Sequence, residues 1–322
     1  MIILKMINTM QDFKNEPIKL FWYKHDVKPG NFGDELNPYI VAKISTNRVT
    51  YINLLHLNAD NWLQLKVLLK AISSKEISVK QAINYFLLNN IQKPKVLLAI
   101  GSVLQYNKYS NSVVWGSGII DKKFSFANSD FRAVRGKYTQ AKVLELGYKA
   151  PNALGDPALL LPIIYTPKQT KKYKVGIVPH YIHYEEYKKR FSTESDILVI
   201  NVLQEVEVVL DEIVNCEYTL STSLHGIIVS HAYGVPSLWV DFKLTDKKLF
   251  GDNIKFFDYF SSLDIKEYET VHLTPESLFN DSIDSILEEY KDVLLPDPEI
   301  LKKVQHNLLE SAPFPLKKEF KD

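Results

Sequence analysis

Cysteine and arginine are scarce in this chain of 322 residues, and long apolar runs are missing. Cys216 is the single cysteine, so the chain can form neither an internal disulfide nor a cysteine-based metal cluster. It precedes the apolar run Tyr218-Thr219-Leu220, which predicts a buried thiol at a strand end. The single cysteine also fits a protein of a reducing compartment. No stretch approaches the ~18 apolar residues of a spanning helix, and residues 1–10 lack a signal-peptide pattern. We therefore expect a cytoplasmic protein, with at most peripheral contact to a membrane.

The charges are nearly balanced. The chain has 39 basic and 38 acidic residues, with a net charge of +1, so it lacks the global basic field that would predict a nucleic-acid partner. Almost all of the basic residues are lysines. The arginines are Arg48, Arg132, Arg135 and Arg190. Because arginine clamps carboxylates and phosphates in a bidentate way, each of the four is a candidate for binding an anion.

The order of apolar runs and glycine-rich turns predicts an α/β fold. Apolar runs such as Val96–Ile100 and Val113–Trp115 are each followed by glycine, as expected of buried parallel strands that end in ligand-binding loops. We expect two Rossmann-like, doubly wound domains facing a cleft, an arrangement of the GT-B type. The first domain would span residues 1–162, with a helical insertion at about 58–92, and a linker would lead to a second domain at 174–293. A C-terminal helix and tail would occupy residues 294–322.

Individual elements follow from the same patterns. Strands are predicted at 18–23, 96–100, 113–115, 131–134, 174–178, 196–200, 218–220 and 238–240. Helices are predicted at 35–44, 137–146, 205–214 and 299–310, with a further helix of about three turns between the last two strands.

The most informative stretch is Ser221–Gly226, followed by Gly234-Val235-Pro236. It predicts a strand, a tight polar loop, a helix and a second strand, with the loop at the carboxyl end of a strand where open α/β sheets bind ligands. His225 would lie in the first helical turn, where backbone N–H groups favour an anion beside an imidazole that can move protons. The local pattern also fits a structural histidine, a Ser/Thr N-cap and a plain Gly-Val-Pro helix stop.

A second loop of this kind is Asn31-Phe32-Gly33-Asp34, which precedes the helix predicted from Glu35. Asp34 is the expected N-cap, so this loop would also present N–H groups at a helix start. A capped turn without any ligand explains the four residues equally well.

Taken in order, these motifs resemble the polysaccharide pyruvyl transferase family over most of the chain. Single matches are weak, but their order and the Ser…Leu-His-Gly…Gly-x-Pro…Lys ending are fairly specific. The matching segments are Asn31–Asp34, Ile100–Ser102, Trp115–Gly118, Val134–Gly136 with Thr139, Leu154–Pro157, Val175–His180, Ser221–Gly226, Gly234–Pro236 and Asp241–Lys243.

The resemblance implies transfer of pyruvate from phosphoenolpyruvate to two hydroxyls of a sugar, giving a cyclic ketal and phosphate. It implies no cofactor, since phosphoenolpyruvate is a substrate, and the residue spacing indicates no metal site. The acceptor would be a sugar unit of a bacterial exopolysaccharide or capsule precursor, bound on the side of the first domain. If that unit is lipid-linked, the enzyme would work at the inner face of the plasma membrane. Residues 256–260, rich in phenylalanine, could then dock to the membrane, although core packing explains them better.

The resemblance also implies roles for single residues. His225 would move protons, and Arg135 would clamp an anionic group of the donor unless it forms a surface ion pair. Lys243 would be a second anion ligand, or simply a solvated lysine. Asp34 would orient a sugar hydroxyl or the donor loop, and His180 would contact the acceptor or hold its own loop. The remaining predicted substrate-binding residues are Asn31, Gly33, Ser221, Ser223, Gly226, Gly116 and Ser117. His231, on another face of the helix, is expected to pack in the core.

Two positions depart from the family pattern. Many members have arginine where this chain has Ser223, and a Gly-Gly-Gly strand end where it has Gly101-Ser102-Val103. The first change removes an anion clamp, which Arg132, Arg135 or a lysine would have to replace. A GT-B glycosyltransferase that uses a nucleotide sugar is an alternative because it would share the architecture, which does not fix function. The missing arginine at position 223 leaves a non-catalytic carbohydrate-binding relative as a further alternative.

Overall fold

The computed structural model describes residues 13, 16–24, 29–54, 61–87, 93–168, 170–191, 194–242, 244, 251–278 and 282–321. Over these residues strands and helices alternate and build two sheets, in which every strand pairing is parallel. The α/β class predicted from the sequence is confirmed.

The first sheet has six strands in the order β2-β1-β3-β4-β5-β6. Its elements are β1 (Ile18–Phe21), α1 (Phe32–Ile44), β2 (Val49–Tyr51), α2 (Asn61–Ser73), α3 (Val79–Leu87), β3 (Val96–Leu98), β4 (Ser112–Trp115), β5 (Asp130–Val134), α4 (Lys137–Glu145), β6 (Ala153–Leu154) and α5 (Leu161–Ile164). Short 3₁₀ helices lie at Leu104–Tyr106 and Pro157–Leu160.

The second sheet has five strands in the order β11-β10-β9-β7-β8. Its elements are β7 (Tyr173–Val178), α6 (Tyr184–Phe191), β8 (Ile197–Val199), α7 (Val206–Val214), β9 (Cys216–Ser221), α8 (Leu224–Ala232), β10 (Ser237–Asp241), α9 (Ile254–Ser262), β11 (Val271–His272), α10 (Ser282–Glu289) and α11 (Pro298–Glu310). Further 3₁₀ helices lie at Tyr181–His183, Pro275–Leu278, Lys291–Val293 and Lys318–Phe320.

Most predicted strands and helices are confirmed within a few residues, but the start of α1 was placed wrongly. The helix begins at Phe32, three residues before the predicted start, and its N-cap is Asn31 rather than Asp34. Asn31 has extended dihedral angles, and Asp34 already lies in the first turn, where its Oδ2 accepts a hydrogen bond from Asn31 Nδ2 at 2.8 Å. The short strands β2, β6 and β11 were missed because two or three residues carry too little pattern.

Asn37 attaches α1 to the first sheet and also compensates for a proline inside the helix. Pro38 has no N–H to give to the carbonyl of Asp34, and Asn37 Nδ2 contacts that carbonyl oxygen at 3.2 Å instead. The same amide also pairs with the backbone of Ile100, donating at 3.1 Å and accepting at 2.8 Å. This double contact places the first turn of α1 beside the carboxyl end of β3.

One hydrophobic core runs through both halves of the chain. It joins residues of the first sheet such as Leu20 and Trp115 to residues of the second half such as Val178 and Ile227, all of them fully buried. Cys216 is fully buried at the start of β9, as predicted. Helix α9 also belongs to this core, because Phe256 stacks on Trp239 with ring centroids 4.1 Å apart. The prediction of core packing for residues 256–260 is thus confirmed.

The last helix returns to the first sheet. Trp115 Nε1 donates to the Leu308 carbonyl at 2.9 Å, and Gln305 Nε2 donates to the Leu159 carbonyl at 2.8 Å. Gly155 has a φ of +133°, and a Cβ there would lie 2.5 Å from Val304, so α11 can approach this closely only because residue 155 is glycine. The C-terminal helix therefore packs on the first half, while the predicted domain boundaries stay predictions.

Candidate active site

A cavity of about 400 Å³ lies where the carboxyl ends of the two sheets approach each other. Loops that follow β1 and β3 of the first sheet and β7 and β9 of the second contribute to it, as does α9. The lining residues are Tyr23, Asn31, Asp34, Gly101, Ser102, Val103, Gln105, Tyr106, Ile120, His180, Tyr181, Ile182, Ser223, Leu224, His225 and Lys255. Loops from both halves thus form one site, at the edge where parallel sheets bind ligands.

His225 lies in the first turn of α8, where the sequence placed it, and its side chain is 15% exposed. The ring packs against the first turn of α1, so closely that a Cβ on Gly33 would lie 2.2 Å from Nδ1. Its Nε2 has no hydrogen-bond partner among the described residues. Glycine at position 33 thus allows the first turn of α1 to pack directly on the ring, while Nε2 is buried on the side of the ring that faces Asp156.

Asp156 is the nearest carboxylate to that nitrogen, and its side chain is fully buried. Oδ2 lies 3.9 Å from His225 Nε2, beyond hydrogen-bond distance, and has no other partner in the described part of the chain. Oδ1 accepts a hydrogen bond from the Ala158 backbone N–H at 2.9 Å, which caps the 3₁₀ helix that starts at Pro157. Asp156 belongs to the Leu154–Pro157 segment that matches the family pattern, but its sequence context predicts no role for it.

Burial and charge shift the pKa values of this pair. Burial lowers the pKa of His225, while the charges of Asp156 and Asp34 oppose that shift. Burial raises the pKa of Asp156, opposed by the charges of His225 and Arg135 and by hydrogen bonds from the backbone. The imidazole is therefore neutral at neutral pH and can accept a proton, and the carboxylate beside it would stabilise the resulting imidazolium.

Arg135 lies beneath the cavity and is fully buried. Its Nε donates to Asp258 Oδ2 at 3.0 Å, Nη1 to Ser102 Oγ at 2.6 Å and Nη2 to the Ile119 carbonyl at 2.5 Å. Its charge lowers the pKa of both His225 and Lys255, so it acts on the site electrostatically. Direct contact between this guanidinium and a donor stays a prediction.

Asp258 comes from α9, in the second half of the chain. Besides Arg135, it accepts hydrogen bonds from the Thr139 backbone N–H at 2.8 Å and from Thr139 Oγ1 at 2.6 Å. The Lys137 N–H donates to Ser261 Oγ at 2.9 Å. These contacts fix α9 on α4, and they place Lys255, three residues before Asp258, at the cavity.

Sequence reasoning missed Lys255. Burial and the charge of Arg135 lower its pKa to about 8. In a chain with so many lysines no local pattern distinguishes it, and only the docking of α9 brings it to the site.

The first turn of α1, which carries Asp34, and the loop that carries His180 are ordered by local hydrogen bonds. Asn31 Nδ2 holds the Asp34 carboxylate at 2.8 Å. The His180 N–H donates to Thr222 Oγ1 at 2.9 Å, which ties the end of β7 to the end of β9. The His180 ring lies against Tyr181, with centroids 4.7 Å apart. The structure thus brings the predicted residues Asn31, Asp34 and His180 together with Ser223 and His225.

The remaining predicted residues are not among the described residues that line the cavity. Lys243 lies outside the described residues, and Arg132 pairs with Asp130 at 2.9 Å. Among the described residues, those that line the cavity do not include Gly116, Ser117, Ser221 or Gly226, all of which are buried.

These buried residues have packing contacts of their own. Ser221 Oγ bridges the carbonyls of Val178 and Ser223 at 3.0 and 2.7 Å. A Cβ on Gly226 would lie 2.3 Å from Ser221 Oγ, and one on Gly116 would lie 2.1 Å from Pro157. Any direct role of these residues in binding substrate stays a prediction.

His231 packs in the core as predicted. It is 1% exposed, and Nδ1 lies 2.9 Å from the Tyr259 hydroxyl. Among the described residues there is no cluster of three or more candidate metal ligands, and none of their helices is long and apolar enough to cross a membrane.

Comparison with known proteins gives the following findings. The family model described as "Polysaccharide pyruvyl transferase" matches residues 31–243. The chain is also similar to uncharacterized protein L143 of Acanthamoeba polyphaga mimivirus, with 29% identity over 211 residues, covering 60% of this chain and 73% of that protein. No solved structure matches the chain.

Proposed function

Because the chain belongs to the polysaccharide pyruvyl transferase family, we propose that it transfers pyruvate from phosphoenolpyruvate to two hydroxyls of one sugar, forming a cyclic ketal. The observation that carries the proposal is the His225–Asp156 pair at the cavity. A neutral imidazole nitrogen without a partner among the described residues lies 3.9 Å from a buried carboxylate, at the edge where two parallel sheets present their loops. This pair can take a proton from a hydroxyl and return it.

The chemistry requires such a proton relay. C3 of the donor gains a proton, and C2 forms a bond to the first sugar oxygen. The bond from C2 to the phosphate oxygen then breaks, and its electron pair leaves with phosphate, after which the second sugar oxygen bonds to C2. Of the two hydroxyl protons, one ends in the new methyl group and the other leaves with phosphate. His225 would accept a hydroxyl proton, and Asp156 would stabilise the imidazolium until the proton is passed on.

The surroundings of His225 suit an anionic donor. The first turns of α1 and α8 meet at the ring, and the N-terminal turn of a helix favours negative charge. Ser102 and Ser223 add hydroxyl groups to the lining. Asp34 in the first turn of α1 and His180 in the loop after β7 come from opposite halves of the chain and are candidates for holding the sugar hydroxyls.

The GT-B arrangement is part of the same proposal. Its support is that both halves supply loops to one cavity, with the tyrosines Tyr23 and Tyr106 from the first half and Tyr181 from the second. The acceptor would be a unit of a surface-polysaccharide precursor, either free or lipid-linked. If it is lipid-linked, the reaction would take place at the inner face of a membrane.

The experiment is thermal unfolding of the protein with phosphoenolpyruvate, beside a panel of nucleotide sugars. A ligand at ~100 times its dissociation constant that binds only the native state adds about 2.7 kcal/mol, a clear shift in Tm. We expect a shift with phosphoenolpyruvate and none with the nucleotide sugars. The reverse result would favour a glycosyltransferase, and no shift with either would favour a carbohydrate-binding relative.

Turnover is then measured as phosphate release with candidate acceptors. His225→Gln should lower turnover about 10²- to 10⁴-fold, the usual contribution of a positioned acid or base, while the shift with phosphoenolpyruvate persists. His306→Gln is the matched control, since that imidazole is 70% exposed on α11.

A further inference from the structure

The cavity has one cationic side chain among its described lining residues, Lys255. At position 223 the chain has a neutral serine, and the guanidinium of Arg135 is engaged by Asp258, Ser102 and Ile119 beneath the cavity. Among the described residues, Lys255 is therefore the cationic side chain that an anionic ligand in this cavity would contact.

Lys255 has no carboxylate partner within the described residues. Its recorded contact is with the ring of Phe256, at 5.2 Å from Nζ to the centroid. Asp258, one turn along α9, is occupied by Arg135 and Thr139. A partly buried ammonium group without a counter-charge is unfavourable, and an oxyanion beside it would relieve that cost.

Packing contacts with both halves of the chain fix the position of Lys255 on helix α9. Helix α9 is fixed to the first half by the Asp258 bonds and by Ser261 Oγ, which accepts from the Lys137 N–H. It is fixed to the second half by the stacking of Phe256 on Trp239. The backbone of Lys255 therefore belongs to a helix that is fixed by packing. An anion-binding side chain benefits from this, because a fixed backbone keeps it in the binding geometry.

We propose that Lys255 binds the phosphate group of the donor. It would take the place of the arginine that many family members have at the position of Ser223. The inference rests on the proposed function and names the residue that holds the leaving group. When the bond from C2 to oxygen breaks, the electron pair moves onto the phosphate oxygens, and the Lys255 ammonium lies where that charge develops. The lysine keeps its proton throughout, and the proton that leaves with phosphate comes from the sugar hydroxyl.

The test uses inorganic phosphate, the product of the proposed reaction, as the probe. Its affinity is measured by calorimetry for the wild type, Lys255→Met, Lys255→Arg and the control Lys266→Met, an exposed lysine after the same helix. We expect about 10- to 100-fold weaker binding for Lys255→Met, the range of a hydrogen bond to a charged group. Lys255→Arg and Lys266→Met should stay within about threefold of the wild type, because each keeps a positive charge at position 255.

A pH series gives a second readout that needs no loss-of-charge variant. Wild-type affinity for phosphate should fall as the pH rises through about 8, where Lys255 loses its proton, while Lys255→Arg keeps its affinity. Burial lowers the pKa of His225, so this neighbour is neutral throughout the range and does not imitate the effect.

Each outcome decides a separate point. If phosphate does not bind the wild type, the inference is wrong. It is also wrong if phosphate binds Lys255→Met with the same affinity as the wild type. If Lys255→Met loses phosphate binding but the wild type never turns over phosphoenolpyruvate, the anion site stands and the proposed donor fails. If phosphoenolpyruvate is turned over equally by wild type and Lys255→Met, the proposed function stands without Lys255.

Discussion

Arg135 Nε lies 3.0 Å from Asp258 Oδ2, and neither side chain has any exposed surface. The arginine follows β5 of the first sheet, and the aspartate lies 123 residues later in α9. The pair therefore joins the two halves of the chain directly beneath the cavity.

Asp258→Ala should destabilise the protein by about 3–5 kcal/mol, because it leaves the Arg135 guanidinium buried without its counter-charge. Denaturant unfolding measures the change. Glu299→Ala is the matched control, since it breaks the exposed pair with Lys302 and should cost less than about 1 kcal/mol. Equal effects of the two substitutions would contradict the structural role assigned to Asp258.

Gly33→Ala should lower turnover strongly and lower Tm only modestly. The added Cβ would meet His225 Nδ1 at 2.2 Å, so either the ring or α1 must move, at a cost of about 1–3 kcal/mol. The measurement is turnover together with Tm. Gly30→Ala is the control, because there the obstacle is the flexible end of Glu35. Normal turnover in Gly33→Ala would show that the position of the ring is not critical.

Asp156→Asn should extend activity to lower pH while reducing its maximum. The charge of Asp156 raises the pKa of His225, so its removal lowers that pKa further, and the imidazole stays unprotonated to a lower pH. The acid limb of kcat/KM should therefore move to lower pH. An acid limb that stays in place would mean that another group controls it. The amide keeps an oxygen for the Ala158 N–H, so the fold should be retained.

Leu308→Ala should cost about 2–5 kcal/mol of unfolding free energy, because Leu308 is fully buried where α11 packs on the first sheet. Leu295→Ala, at a position that is 39% exposed, should cost much less. Both are measured by denaturant unfolding. A small effect of Leu308→Ala would mean that the first half folds without the C-terminal helix.

From the amino-acid sequence one can predict the α/β class, most of the strands and helices, and the position of His225 in the first turn of a helix after a strand. These are local properties, because the apolar periodicity, the glycines at strand ends and the polar loop 221–223 are readable within short windows. The motif order was specific enough to predict the family, which the family model confirms.

Tertiary structure alone decided which charges meet. Asp156 comes to His225, Asp258 pairs with Arg135, and Lys255 reaches the cavity because helices distant in sequence pack against one another. A buried charge depends on its three-dimensional neighbours for its partner and its pKa, and no sequence window contains them.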